Sequence, residues 1–309
     1  MPGPWPPTAV MREPAPLPGS EHFGAAVLSP LRYPGAKRSL LPAIQRYASH
    51  QRVQLFVEPM AGGAGTTLRL LGTGAAEHAI MADADPLVAA FWWAAAFLTD
   101  DLIEAVHQET VSLERWDYWR AARPVDLLDQ AMKALFLNRT SFSGILQEGA
   151  GPIGGRSQSG QYRIDCRWNP TMLSKRIKAA GDLAASGRLL DVWCAPWELT
   201  LKRLDDEYVP LLDDPGYMLV YCDPPYVDKG SRLYPNSFSP EDHQDLASYL
   251  TGPNAPARWA LSYDDHPLVR QLYRGLPMDE HQLAYSTTGR RSTVTKKTEL
   301  LILSSAQPA

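Results

Sequence analysis

The sequence predicts an α/β fold with a seven-stranded sheet. Short runs rich in β-branched and aromatic residues alternate with runs of helical periodicity, which is typical of a parallel sheet covered by helices. The chain has 309 residues, 45% of them hydrophobic and 21% charged, so it can form a sizeable core and has an ordinary globular composition. The predicted strands span residues 53–57, 78–82, 189–193, 217–222, 258–262, 280–285 and 298–303.

The N-terminal region differs from the rest of the chain. Residues 1–20 hold seven of the 27 prolines and lack the basic start and apolar stretch of a signal peptide. We therefore expect residues 1–28 to form a flexible, Pro-rich arm. Helices are predicted at 38–49, 66–72, 86–98, 240–250 and 266–274, with Ser239-Pro240-Glu241-Asp242 as the cap and first turn of the fourth.

The regular alternation is interrupted once, between the second and third strands. About a hundred residues separate them, which is far more than a crossover helix needs. We expect an inserted, mainly helical domain over residues 100–187, flanked by the two parts of the sheet domain at 29–99 and 188–309. Within the insert, we predict two or three helices over 100–138, a hairpin or loop arm at Tyr162–Trp168 and a helix over 170–186.

The charge and cysteine content restrict the possible partners and compartment. The net charge is −4 and the pI is near 6.0, which for the chain as a whole argues against a nucleic-acid partner. No apolar run is long enough to span a membrane. Three widely spaced cysteines without a CxxC pair indicate a reducing, intracellular compartment and no structural zinc.

A glycine-rich turn follows the first predicted strand, at Glu58-Pro59-Met60-Ala61-Gly62-Gly63-Ala64-Gly65. Glycines there let backbone N–H groups approach a ligand beyond the carboxyl end of the strand, although such a turn is also often only a tight turn. Asp83 ends the second strand, twenty residues beyond Gly63. It can accept hydrogen bonds from ribose hydroxyls, or it can cap the following helix. Both NAD and S-adenosylmethionine satisfy these two features.

The sequence Asp223-Pro224-Pro225-Tyr226 follows the fourth predicted strand. Two prolines cannot extend a strand and they fix φ, so the chain leaves the sheet rigidly. This turn presents a carboxylate, the carbonyl of Pro224 and an aromatic ring to one point. That arrangement suits a planar base with an exocyclic amine, because Asp223 and the Pro224 carbonyl can each accept one of its N–H groups while Tyr226 stacks on the ring.

Together these motifs resemble the Dam-type adenine-specific DNA methyltransferases, over about Leu31 to Leu303. Arg32-Tyr33-Pro34-Gly35-Ala36-Lys37 is similar to the N-terminal motif of that family, and Asn138-Arg139-Thr140-Ser141-Phe142-Ser143-Gly144 is similar to its most typical stretch in the target-recognition domain. The resemblance implies a Rossmann-like methyltransferase sheet with an inserted target-recognition domain. It also implies S-adenosylmethionine as cofactor, double-stranded DNA as partner, and methyl transfer to N6 of a flipped-out adenine.

The resemblance also assigns site residues. The catalytic residues are Asp223, Pro224, Pro225 and Tyr226, and no metal is expected. The cofactor would contact Tyr33, Lys37, Glu58, Pro59, Ala61, Gly62, Gly63, Gly65, Asp83, Trp197 and Asp223. The resemblance places Arg32, Arg139, Ser141 and Phe142 at the DNA. The local runs of positive charge described below add Arg156, Arg163, Arg167, Arg290, Arg291 and Lys296 as expected DNA contacts. We further expect a cytoplasmic monomer, encoded by a bacterium or a phage.

The sequence departs from the family pattern at three places. Arg32 and Tyr33 replace a lysine and a tryptophan, which are chemically tolerable changes. Pro196 stands where the family often has an acid, so Trp197 can stack on the adenine of the cofactor without that carboxylate beside it. Residues 145–148 lack the basic residue of GATC-specific members, so GATC recognition is not supported.

Local charge reconciles the acidic total with a DNA partner. Between Arg139 and Lys178 there are seven basic residues and two acidic ones, and four further basic residues lie between Arg290 and Lys297. Such runs are often only solvated faces, but here both flank the predicted pocket. A cytosine-N4 or RNA adenine-N6 methyltransferase, a catalytically silent DNA-binding relative and an NAD-dependent oxidoreductase remain alternatives, although the last gives Asp223-Pro224-Pro225-Tyr226 no role.

Overall fold

The computed structural model describes residues 11, 14–15, 29–32, 39–146, 149–227, 237–286 and 294–304. Within them, seven strands form one sheet in the order β3-β2-β1-β4-β5-β7-β6. The first five strands are parallel, and β7 runs antiparallel to both of its neighbours. The strands are β1 (Leu55–Glu58), β2 (His78–Asp83), β3 (Leu189–Cys194), β4 (Met218–Cys222), β5 (Trp259–Asp264), β6 (Met278–Ser286) and β7 (Val294–Leu303). The predicted fold class and all seven strands are confirmed.

The central strands are buried on both faces, which explains why they are apolar almost throughout. Every residue of β1, β2 and β4 is buried. Side chains alternate between the two faces: Phe56 and Met81 lie in one hydrophobic cluster, and Val57 and Ile80 lie in the other. The sheet is therefore the middle of three layers.

Ten α-helices lie in the described part of the chain. They are α1 (Leu41–Ser49), α2 (Gly65–Thr73), α3 (Pro86–Phe97), α4 (Thr99–Gln108), α5 (Leu113–Ala121), α6 (Leu127–Thr140), α7 (Pro170–Ala185), α8 (Trp197–Glu207), α9 (Pro240–Leu250) and α10 (Pro267–Leu272). The predicted cap of α9 is confirmed, since Ser239 and Asp242 form a reciprocal capping box. Helix α8 was not predicted, because only its face with Trp197, Leu201 and Leu204 is apolar.

Four helices, α4 to α7, follow α3 between β2 and β3. Three of them, α4 to α6, lie in the segment 100–138, which was predicted to hold two or three helices. Leu102 of α4, Leu135 of α6 and Ile177 of α7 belong to the same hydrophobic cluster as Phe56 of the sheet. The helices of residues 100–187 thus share a core with one face of the sheet. The domain division at residues 100 and 187 stays a prediction.

Of the two alternatives predicted for Tyr162–Trp168, the hairpin is wrong and the loop agrees with the structure, because this segment forms consecutive turns. The Cys166 N–H donates to the carbonyl of Arg163, and the Trp168 N–H donates to that of Asp165. The side chain of Gln158 binds the carbonyl of Ile153 and accepts from the Ile164 N–H, so it organises this loop in place of strand pairing. The loop between α6 and α7 is held by side-chain contacts that a hydrophobicity pattern does not reveal.

The N-terminal arm falls largely outside the described residues, so its predicted flexibility is not tested. Ala15 donates its N–H to the carbonyl of Ser186 at 3.0 Å, next to the edge strand β3. No single helix of the described ranges is long and apolar enough to cross a membrane; α3 and α4 meet that requirement only as a pair, and they are bent by 111°.

Candidate active site

The two predicted motifs meet at the centre of the sheet. β1 and β4 are neighbours, and the chain connects β1 to β2 on one side and β4 to β5 on the other. The crevice beyond the carboxyl ends of two such strands is the usual ligand site in an open α/β sheet. The loop after β1 and the turn after β4 both begin at this crevice.

The glycine-rich loop after β1 is fixed by hydrogen bonds on both sides of Gly62. Its N–H donates to Oδ2 of Asp83 at 2.8 Å, and its carbonyl accepts from Nε1 of Trp92 at 2.8 Å. Gly62 has φ of 45° and Ala64 has φ of 46°, so the loop contains two left-handed residues. A Cβ at Gly65, the first residue of α2, would have no neighbour within 4 Å. There is therefore open space at the N-terminus of α2, where a ligand can approach backbone N–H groups.

Asp83 lies at the end of β2 and faces this loop. Its Oδ1 accepts the Asp85 N–H at 2.8 Å, and its Oδ2 accepts that of Gly62. Each carboxylate oxygen has a second lone pair, so Asp83 can still accept hydrogen bonds from a ligand. The alternative that Asp83 caps α3 is wrong, since Asp85 accepts the Leu87 N–H at 2.9 Å and is the cap. Burial, and then the charge of Asp85, raise the pKa of Asp83 to about 7.

Glu58 ends β1 and is 3% exposed. Its Oε2 accepts from the N–H and the hydroxyl of Thr67, at 3.1 and 2.5 Å, which ties β1 to the first turn of α2. Burial raises the pKa of Glu58 to about 8, and the nearby charge of Asp223 acts in the same direction. The two carboxyl groups at the ends of β1 and β4 thus influence each other.

The turn after β4 is held by the neighbouring strands. Oδ1 of Asp223 accepts from the hydroxyl of Ser262 at 2.7 Å, and that hydroxyl is 2.8 Å from the hydroxyl of Tyr221. The Tyr226 hydroxyl donates to Glu299 at 2.7 Å. Asp223 and the Tyr226 ring are half-buried, whereas Pro224 is buried. The carboxylate and the ring are therefore both oriented before any base is present.

Trp197 is not available for stacking in the structure. It is 6% exposed and lies in the second hydrophobic cluster, edge-on to Tyr249 of α9 with ring centroids 5.5 Å apart. The first residue of α8 packs inward because it belongs to the apolar face of that helix. We therefore leave Trp197 out of the proposed cofactor site.

Pro59, Ala61 and Gly63 lie in the loop after β1, as the sequence indicates.

Two residues predicted to contact DNA are buried. Arg139 is 5% exposed and its guanidinium donates to the carbonyl of Pro30, with 2.7 Å from Nε. Burial and the charges of Arg176, Arg32 and Arg167 lower its pKa to about 9. Ser141 is fully buried and accepts from Nε1 of Trp116 at 3.1 Å. Direct DNA contact by Arg139 and Ser141 is therefore a wrong prediction for this structure, in which both residues hold the end of α6.

The other candidates in the insert reach the surface. Phe142 is 66% exposed, and Arg163 and Arg167 are exposed. Arg156 is also exposed, but it forms two hydrogen bonds of 2.7 Å with Asp117. Arg32 is half-buried, and burial and the charge of Arg167 lower its pKa. Arg32 and Arg167 thus form a positive region around the buried Arg139.

Some candidates are not placed by the structure. Tyr33, Lys37, Arg290 and Arg291 lie outside the described residues. Lys296 lies on β7, where it pairs with Ala284 of β6. The β6–β7 hairpin extends beyond the carboxyl ends of the parallel strands, because β7 pairs with β5 only from Glu299 to Leu303.

Three residues that support the candidate site through hydrogen bonds were not singled out from the sequence. Ser262 and Glu299 hold the turn after β4, and Asn138 binds both backbone polar groups of Arg32, at 2.7 Å each. Asn138 stands in the family-typical stretch, which is a usable signal. His243 of α9 is buried, and its Nδ1 lies 2.6 Å from the hydroxyl of Tyr263.

Comparisons with known proteins agree with the motifs. Residues 33–151 match the model of the family described as D12 class N6 adenine-specific DNA methyltransferase. The retron Ec67 DNA adenine methylase of Escherichia coli is 28% identical over 148 residues, which are 47% of this chain and 45% of that protein. The match thus spans about half the length of that relative. Among solved structures, the match to a precorrin-8W decarboxylase of Methanobacterium thermoautotrophicum covers 88% of this chain and 92% of that chain at 12% identity, and its TM-score of 0.31 is too low to indicate a shared fold.

Proposed function

We propose that this chain methylates adenine in DNA, because residues 33–151 match the model of the D12 class of N6 adenine-specific DNA methyltransferases. The donor is S-adenosylmethionine, and the acceptor is N6 of an adenine turned out of the duplex. The observation that carries the proposal is the turn Asp223–Tyr226, which stands beside the glycine-rich loop at the central crevice of the sheet.

The turn after β4 supplies what an exocyclic amine needs. The Asp223 carboxylate and the Pro224 carbonyl accept the two N–H groups, which directs the lone pair of N6 away from the ring and toward an electrophile. The Ser262 hydroxyl, on the neighbouring strand β5, holds the carboxylate through its 2.7 Å hydrogen bond. Most of the acceleration then comes from orientation, which a rigid Pro-Pro turn provides.

The cofactor fits the loop after β1. Asp83 retains acceptor capacity for ribose hydroxyls, and the space beside Gly65 lets a ligand reach the N-terminus of α2. When bound there, S-adenosylmethionine supplies an electrophilic methyl group. Glu58 and Asp223 lie close enough at the crevice for the charge of Asp223 to raise the pKa of Glu58, and Asp83 ends the neighbouring strand β2.

DNA binds, in this proposal, along the insert and the β6–β7 hairpin. Phe142, Arg163 and Arg167 are exposed on the insert, and Lys296 lies on the part of the hairpin that extends beyond the carboxyl end of β5. Taking a base out of the stack costs a few kcal/mol, which the contacts with phosphates and with the unstacked base offset. The expected monomeric state and cytoplasmic location are part of this proposal.

The decisive experiment is transfer of a tritiated methyl group from S-adenosylmethionine to unmethylated plasmid DNA. We expect the wild-type protein to label DNA. Asp223→Ala should abolish labelling while it still binds the cofactor. The control Asp245→Ala should behave as the wild type, because Asp245 is exposed on α9. Full activity of Asp223→Ala would overturn the assignment. Nucleoside chromatography of the product separates N6-methyladenine from N4-methylcytosine, an RNA substrate tests the RNA alternative, and sequencing of the methylated DNA gives the recognition site.

A further inference from the structure

We propose that Glu299 is a positioning residue that holds the ring of Tyr226 in the orientation for stacking on the target adenine. The inference rests on the proposed function and concerns the same pocket. Glu299 lies 73 positions beyond Tyr226 in the chain and accepts a hydrogen bond of 2.7 Å from the Tyr226 hydroxyl.

The location of Glu299 is unusual for a glutamate. It is 2% exposed, on the middle strand of the antiparallel part of the sheet, and Leu300, Leu301 and Ile302 follow it in the core. A buried carboxylate is costly unless hydrogen bonds compensate it, and glutamate is among the residues least often buried. A strand that needed only a core residue here would have an apolar one.

A second acidic residue, Asp264, holds the same turn from the neighbouring strand. Asp264 lies directly opposite Glu299 in the β5–β7 pair. The Val227 N–H donates to Oδ1 of Asp264 at 3.4 Å, while the Tyr226 hydroxyl donates to Glu299. Two acids on neighbouring strands thus hold consecutive residues of the turn, one through the backbone and one through the far end of the side chain.

A contact at the far end of a tyrosine determines the ring plane. The hydroxyl bond restricts both side-chain torsions, so the ring of Tyr226 does not have to be ordered when the base arrives. A ring held only at its Cα would stack less often in the productive plane. Loss of the contact should therefore weaken methyl transfer and DNA binding, and it should leave cofactor binding unchanged.

The test is a double-mutant cycle on Tyr226→Phe and Glu299→Ala. Each change should lower kcat/KM for DNA about tenfold, as expected for loss of a hydrogen bond to a charged group. The double variant should be within about twofold of either single variant, because both remove the same contact. Glu299→Gln should stay within about threefold of the wild type, since its amide oxygen still accepts the hydroxyl. The Kd for S-adenosylmethionine should not change.

A control distinguishes positioning from stability. Tyr263→Phe removes another buried tyrosine hydroxyl contact, the one to His243 on α9, and should change the melting temperature without changing kcat. With 2-aminopurine at the methylated position, Tyr226→Phe and Glu299→Ala should give higher fluorescence than the wild type, because the probe is less well stacked. If Glu299→Ala does not fold, the inference is judged on Tyr226→Phe and Glu299→Gln alone.

The outcomes separate this inference from the proposed function. Multiplicative losses of about a hundredfold in the double variant, or equal losses in Glu299→Gln and Glu299→Ala, would overturn the positioning role while an active wild type upholds the methyltransferase. A wild-type protein that labels no DNA overturns both.

Discussion

Asp83 and Gly62 are joined by a hydrogen bond of 2.8 Å from the backbone N–H of the glycine to the carboxylate. The bond connects the end of β2 to the loop after β1. Trp92 of α3 binds the carbonyl of the same glycine, so one peptide of the loop is held from two elements. The protein itself therefore holds the loop in shape, and Asp83, the proposed ribose-binding residue, supports it.

The first prediction concerns this bond. Asp83→Asn keeps the size of the side chain but presents an NH₂ group to one of the two backbone N–H donors that the carboxylate now accepts. We expect the affinity for S-adenosylmethionine to fall by about 1.5–3 kcal/mol, the range for a hydrogen bond to a charged group. Isothermal titration measures it. Asp101→Asn, an exposed position on α4, is the control, and an unchanged Kd in Asp83→Asn would contradict the role.

The sheet could be predicted from the sequence because its strands are buried on two faces. Apolar runs such as Leu55-Phe56-Val57 predict a strand where both faces of the sheet are covered. The start of β7 could not be predicted, since Thr295, Lys296 and Lys297 are polar and give no apolar alternation in the sequence. Helix α8 was missed for a related reason, because most of its residues are polar.

The site could be predicted only where the motifs are continuous in sequence. Asp223 and Tyr226 stand in one motif, but Ser262 and Glu299 reach them from strands 39 and 73 residues later in the chain. A single polar residue in an apolar strand has no spacing that reveals its partner. Counting charges likewise did not distinguish the buried Arg139 from the exposed Arg163, because burial depends on tertiary packing.

The second prediction uses these two arginines as a matched pair. Arg139→Ala removes the donor that holds Pro30 to α6 and should lower the free energy of unfolding by about 1.5–3 kcal/mol. Arg163→Ala should change it by less than about 0.5 kcal/mol, since the residue is exposed. Urea unfolding measures both.

The same pair should separate DNA binding from stability. Arg163→Ala should weaken DNA binding and reduce the slope of log K against log salt by about 1, as expected for one lost phosphate contact. Fluorescence anisotropy at several salt concentrations measures this slope. An unchanged free energy of unfolding in Arg139→Ala would contradict its structural role. An unchanged slope of log K against log salt in Arg163→Ala would contradict its phosphate contact.

The third prediction concerns Phe142, which is 66% exposed beside Ser143 with φ of 57°. Phe142→Ala should leave stability unchanged, because little apolar area is buried there. It should weaken DNA binding by about 1–3 kcal/mol if the ring contacts an unstacked base. Val125→Ala, at a residue that is 92% exposed between α5 and α6, is the control. Equal DNA affinities of the two variants would remove Phe142 from the interface.

The last prediction is a dependence of stability on pH that comes from Glu58. Its pKa is raised to about 8 from a reference value of 4.5, chiefly by burial. Between pH 5 and about 8 the folded protein therefore keeps a proton that the unfolded chain has released, so the free energy of unfolding falls as pH rises. Asp83, with its pKa raised to about 7, contributes in the same direction over a narrower range.

We expect a loss on the order of a few kcal/mol across this interval, measured by urea unfolding at pH 5, 6.5 and 8. Glu58→Gln is neutral at every pH and can still accept the Thr67 N–H, so the pH dependence should become clearly shallower in this variant. Glu241→Gln, an exposed residue on α9, should retain the wild-type slope. A pH dependence in Glu58→Gln that equals that of the wild type would show that Glu58 is ionised in the folded protein, in which case the hydrogen bonds from Thr67 outweigh its burial.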